Sequence, residues 1–137
     1  MHFVTIDRAR PDFRVFIDLL HGPDWNVDTD GDSQPVNSRT WTYLYVADRT
    51  GAEPPVTIVA TDEDANVFQV ECTSARLEEL AALYLFVRSG SDMTGDRGRL
   101  NDDEISSLQA KYLKELARAT DARWHRSSDQ DPYPKAG

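Results

Sequence analysis

Apolar positions recur along this chain with two different spacings, and the switches between them mark out its elements. In "RPDFRVFIDLLHGP", Phe13, Phe16, Ile17 and Leu20 fall at i, i+3, i+4 and i+7, the stripe of a helix buried on one side. Pro11 suits the first helical turn, Gly22 supplies a left-handed stop, and Pro23 forbids continuation. Before it, "HFVTID" is a short run of β-branched and aromatic residues and predicts a strand over residues 2–7.

The middle of the chain changes period. "RTWTYLYVAD" is the strongest strand signal, over residues 39–48. "VTIVAT" at 56–61 and "VFQVEC" at 67–72 follow, separated by the turns "RTGAEPP" and "DEDAN", which predicts a three-strand antiparallel meander. The period then returns to helical. Ser74 stands as an N-cap before "ARLEELAALYLFVRS", whose Leu77, Leu80, Tyr84 and Val87 form a stripe widened by Leu83 and Phe86. "RSGSDMTGDRGR" interrupts with three glycines and reads as a flexible helix–helix connection. Asn101 and Glu104 then stand in the spacing of a capping box, and Ile105, Leu108, Tyr112 and Leu116 give the last helix its buried face.

The predicted order is β-α-β-β-β-α-α. Hairpins outnumber crossovers, so the expected class is α+β, with helices on one face of a mainly antiparallel sheet of about four strands. One domain is expected over residues 1–125, followed by a flexible tail over 126–137, because "RSSDQDPYPKAG" lacks an apolar face.

Composition narrows the functional classes. The chain has 137 residues, 39% of them hydrophobic, which suits one soluble domain with a substantial core. Its longest apolar run, "LAALYLFV", is too short to span a bilayer, and "MHFVTIDRAR" has no secretory pattern. A single cysteine, Cys72, makes no internal disulfide. These features predict a cytoplasmic protein that does not interact with membranes. Net charge is −9, and residues 21–72 carry ten acids against Arg39 and Arg49. Such a chain repels a nucleic acid backbone, whose phosphates need clustered Lys and Arg, and attracts a basic protein surface or a divalent cation.

The acids concentrate in "DWNVDTDGDSQPVN", which has no apolar periodicity and reads as a long loop. Over residues 26–37, Asn26, Asp28, Asp30 and Gly31 occupy positions one, three, five and six of a twelve-residue segment that resembles the calcium loop of an EF-hand. The twelfth position departs from that pattern, since Asn37 replaces the bidentate Glu, and the exit reads as a strand rather than a helix. A calcium site on Asn26, Asp28 and Asp30 would therefore be weak, with a dissociation constant of roughly 10⁻⁴–10⁻³ M. Asp and Gly are also the commonest turn residues, and a loop made of them needs no ion.

Other groups of reactive residues are sparse. His2, His21 and His125 are scattered, and no Cys–His spacing suits zinc. His21 is explained by the end of its helix. Cys72 sits at a helix entry, where a thiol pKa can fall, but no neighbouring base is evident, and a small buried cysteine is the simpler reading. Asp62, Glu63 and Asp64 cluster at a hairpin tip, normally a solvated place. In the 39–48 strand, alternation puts Trp41, Tyr43 and Tyr45 on one face. That row is core if covered, and a binding anchor if exposed beside the acids.

The leading expectation is a non-enzymatic acidic module that docks on a basic protein partner through Asp28, Asp30, Asp32, Asp62, Glu63 and Asp64, with Trp41 or Tyr43 as anchors. Immunity and antitoxin proteins that neutralise nucleases, and phage inhibitors that imitate nucleic acid, share this size and acidity. A calcium-binding domain is the first alternative, and a small-molecule-binding or enzymatic fold with a pocket between sheet and helices is the second. A homodimer would serve equally to cover the aromatic row.

Overall fold

In chain order the elements are β1 (His2–Ile6), α1 (Arg14–Leu20), β2 (Val27–Gly31), β3 (Tyr43–Asp48), β4 (Val56–Ala60), β5 (Val67–Glu71), α2 (Ala75–Ser89), β6 (Gly90–Gly95), β7 (Gly98–Arg99), α3 (Asp102–Lys111) and α4 (Leu113–Arg118). The computed structural model describes residues 1–22, 25–33 and 38–119. The expected tail over 126–137 lies outside them, as do Gln34 and Asn37 of the calcium-like segment and His125. Among the described residues no helix is long and apolar enough to cross a membrane.

The α+β class is as expected, but the sheet is larger. Seven strands pair antiparallel in the order β2-β3-β4-β5-β1-β6-β7. The meander β3-β4-β5 forms as the turn chemistry predicts, and β1 closes against β5 with Val4 opposite Phe68. Both unexpected additions come from segments read as loops. The acidic segment contributes β2, an edge strand whose Val27 is buried while Asp28 and Asp30 are exposed. One buried residue in five is too little apolar pattern to read as a strand; pairing with β3 imposes the extended backbone.

The other addition is the β6–β7 hairpin, where a helix–helix connection was expected. Helix α2 runs directly into β6 at Gly90, and a Cβ there would lie 2.8 Å from the Phe86 Cα and 3.0 Å from a Val4 methyl. Only glycine lets the chain turn so close to its own helix. Met93 then points inward and is fully buried.

Both α1 and α2 cover one face of the sheet. Phe16 meets Trp41 edge-on with centroids 5.9 Å apart, and Trp41 meets Phe68 at 5.6 Å. Val4, Ile58, Leu77, Leu80 and Leu83 fill the space around them. Helix α2 starts as expected, with the Ser74 hydroxyl accepting from the Leu77 amide at 3.3 Å. The capping box of α3 is present in full, with Asn101 accepting from the Glu104 amide at 2.8 Å and Glu104 from the Asn101 amide at 3.1 Å. The last helix is broken, however. At Tyr112 the helical run ends and α4 restarts, with no glycine or proline to announce it. The Tyr112 ring is buried and its hydroxyl donates to Glu79 Oε1 at 2.7 Å, a contact that draws the chain onto α2. Arg118 of α4 then donates to the Leu19 carbonyl at 2.6 Å, fastening α4 to α1.

Candidate functional site

Among the described residues every helix lies on one side of the sheet, and its second face is left open. Strand alternation sends Val4, Leu44, Val46, Ile58, Phe68 and Val70 to the helices and the residues between them outward. Among the described residues, none on the outer face is buried, and Phe3, Tyr43, Tyr45 and Val59 are half-exposed there.

Register fixes the neighbours on this face. One cross-strand row reads Asp30, Tyr45, Thr57, Glu71 over β2, β3, β4 and β5. The row beside it reads Tyr43, Val59, Gln69, Phe3, Thr94 over β3, β4, β5, β1 and β6. Strands lie about 4.8 Å apart, so the Asp30 and Glu71 backbones stand about 14 Å from each other with Tyr45 and Thr57 between them.

Among the described residues, two cations at this face are already engaged. Arg49 holds Asp28 at 2.7 Å and Arg99 holds Asp92 at 2.6 Å, all four side chains well exposed. Among the described residues Asp30 and Glu71 make no ion pair, which leaves this row acidic. Among the described residues Asp30 Oδ1 accepts from its neighbour, the Gly31 amide, at 2.9 Å.

The residues singled out from the sequence separate into three groups. Asp28, Asp30 and Tyr43 do share the open face. Asp32, Asp62, Glu63 and Asp64 gather instead at the end of the sheet where β3 begins, linked through Thr42, whose carbonyl accepts from Ala60 at 2.8 Å. Two of these are bound into the backbone. Asp32 accepts from the Thr42 amide at 2.8 Å, the Thr42 hydroxyl and the Tyr43 amide at 3.1 Å. Partial burial alone would raise its carboxyl, but these donors outweigh that and hold it below the usual range. Asp62 accepts from the Asn66 and Val67 amides and shapes its turn. Glu63 and Asp64 are exposed at the tip.

Trp41 is the clear correction. It is 1% exposed and its Nε1 donates to the Pro11 carbonyl at 2.9 Å. Alternation with Tyr43 fails because the β3 ladder starts at Tyr43, and the indole, lying before it, turns into the core between Phe16 and Phe68. Glu71 and Tyr45 carry the row instead. Glu71 went unselected because its place beside Asp30 depends on three strand pairings.

Cys72 also differs from an activated thiol. Burial pushes its pKa up, despite an amide from Ser74 3.4 Å from the sulfur. Burial likewise lowers His21, whose ring stacks on Trp25 at 6.4 Å, so its place at the end of α1 does not make it a helix-end cation.

The strand geometry bears on the calcium alternative. Alternate residues of an extended strand are spaced about 6.7 Å along a line, whereas calcium gathers oxygens about 2.3–2.6 Å from one point. Among the described residues no group of three or more His, Cys, Asp or Glu is placed to hold a metal ion. Melts in millimolar calcium and in EDTA at matched ionic strength are therefore expected to superimpose. A rise of several degrees in calcium, lost in Asp28→Ala with Asp30→Ala, would restore the metal loop.

No protein-family model, no curated protein and no solved structure matches the chain.

Proposed function

We propose that this protein is a non-enzymatic binding module that docks its open sheet face on a basic protein partner. The observation that carries the reading is the row Asp30–Tyr45–Thr57–Glu71, in which a tyrosine sits between two carboxylates that no cation of the described residues neutralises. Tyrosine offers a large, stiff contact surface with a polar tip, and it is enriched where binding energy concentrates. The flanking carboxylates, within a chain of net charge −9, draw a basic surface by long-range attraction and set its register on arrival. Nothing in such a role requires bond-making chemistry, and the mode of action is that of an inhibitor or immunity protein that covers a partner's cationic site.

The test is capture by immobilised protein from a lysate of the source organism, at about 50 and 300 mM salt, straddling the range over which surface charges become screened. A basic protein should be retained at low salt and released at high salt. Asp30→Lys with Glu71→Lys should slow its association at least tenfold and flatten the salt dependence, and Tyr45→Ala should speed its dissociation. Asp30 and Glu71 are exposed and, among the described residues, without ion pairs, so the double variant should melt within about 1 kcal/mol of the parent. A partner held equally well by parent and variants would remove this face from the interface, and capture of no basic protein would remove the reading.

A further inference from the structure

On the helix side, away from the open face, the segment between β1 and α1 and the C-terminal end of α2 enclose a cleft of about 310 Å³, with Pro11, Asp12, Val15, Arg39, Tyr84 and Arg88 in its walls. Its charge runs against that of the chain. Among the described residues Asp12 is the one acid in the lining, and Arg14 already holds it through two bonds, Nε to Oδ1 at 3.0 Å and Nη2 to Oδ2 at 2.6 Å. Arg39 and Arg88 add two further positive charges, and among the described residues neither forms an ion pair. With 24 acids in a chain holding 15 bases, two arginines in one cleft whose one described acid is already held by Arg14 call for an explanation.

The walls are built rather than incidental. Arg88 Nε donates to the Tyr84 hydroxyl at 3.3 Å, with the guanidinium 5.7 Å from the ring centroid, and the Tyr84 hydroxyl donates in turn to the Ala119 carbonyl at 2.8 Å. Tyr84 is 3% exposed, so it is a fixed post for Arg88. The Arg39 carbonyl accepts from the Arg10 amide at 3.0 Å, which ties Arg39 to the opposite wall. Ser89, fully buried, donates from its hydroxyl to the Ala9 carbonyl at 2.7 Å and clamps the end of α2 to the β1–α1 segment. The Arg88 and Arg39 forks keep donors free for a ligand.

We propose that this cleft binds the oxyanion group of a small molecule, a phosphate ester or a short carboxylic acid, between Arg39 and Arg88, with Pro11 and Val15 against its carbon skeleton. Arginine forks match the geometry of both oxyanions. The volume is that of the smallest ligand sites, and the net negative charge of the chain disfavours a polyanion such as nucleic acid. This inference is independent of the open sheet face.

Amide chemical-shift titrations of the full chain with sodium phosphate and, separately, sodium succinate test it, both at constant ionic strength in chloride. At least one anion should give saturating shifts at Ala9, Arg39, Arg88 and Ser89, with a dissociation constant of about 1 mM or below, as befits a minimal ligand. Arg39→Gln with Arg88→Gln should weaken binding at least tenfold, and Arg99→Gln, altered at a distant surface pair, should not. Phosphate alone saturating would mark the site as phosphoryl-specific, and succinate alone as carboxylate-specific. Linear, unsaturated shifts with both anions would overturn the proposal. So would undiminished affinity in a double variant shown by its spectrum to be folded.

Discussion

Trp41→Ala is expected to cost about 3–5 kcal/mol of unfolding free energy, a large part of the roughly 5–15 kcal/mol that holds a domain of this size together. The indole is 1% exposed and makes edge contacts with both Phe16 and Phe68, so its removal opens a hole where α1 meets the sheet. The Pro11 carbonyl would lose its donor as well. Trp41→Phe separates the two contributions, since it keeps most of the volume and loses only the hydrogen bond and some packing, for about 1–3 kcal/mol. Urea melts at constant slope measure both changes. A loss below about 1 kcal/mol for Trp41→Ala would mean a surface indole, and would return Trp41 to the candidate anchors.

Acid should weaken the fold through Glu78. This side chain, 5% exposed in the first turns of α2, gathers three donors: Oε2 lies 2.5 Å from the His2 ring and 3.0 Å from the Met1 amino group, and Oε1 accepts from the Cys72 amide at 3.2 Å. Burial by itself would raise its pKa, but these partners outweigh it and hold the carboxyl below the ordinary value. The folded protein thus resists a proton that the unfolded chain accepts near pH 4.3, a typical glutamate value. The stabilisation is complete at neutral pH, starts to fade as the pH falls through that value, and is gone below the folded pKa. Glu78→Gln should cost about 1.5–3 kcal/mol at pH 7, the range of hydrogen bonds to a charged group. It should also flatten the decline in stability between about pH 5 and 3. Parallel acid profiles for parent and variant would show that Glu78 is not the group being titrated.

Much of the fold is written locally. The α2 stripe and the Ser74 cap need only neighbouring residues, and so does the Asn101–Glu104 capping box; each formed where its pattern stood. The meander formed for the same reason, from short strands and tight turns. What could not be read is what distant pairing decides. Strand β2 owes its extended backbone to β3, and the hairpin after α2 owes its to the edge of β1. The break at Tyr112 answers to Glu79, 33 residues earlier. The candidate site shows the same division. That Tyr43 and Tyr45 share a face follows from period-two alternation, and that Asp28 and Asp30 are exposed follows from their chemistry. That Asp32 is consumed by Thr42, Trp41 by the core and Asp28 by Arg49 depends on contacts across the sheet. Glu71 became a neighbour of Tyr45 only through β4.

Asp30 occupies a place with a second consequence. The bonds from the Arg49 amide to Asn26 and from the Asp32 amide to Tyr43 set the phase of the β2–β3 ladder, so Asp28 and Asp30 bond inward while Val27, Thr29 and Gly31 turn their backbone groups to an edge that no described strand covers. An open strand edge invites a strand from another copy of the chain. The Asp30 carboxylate covers the Gly31 amide and places a negative charge beside the rim, so two copies approaching edge to edge meet a blocked donor and like charges. The residue proposed to meet a basic partner thus also guards this edge against a second copy of the chain. Selection for a different partner charge at this position would run up against solubility, and neutral replacements such as Asp30→Ala should form fibres or soluble oligomers before they lose their fold.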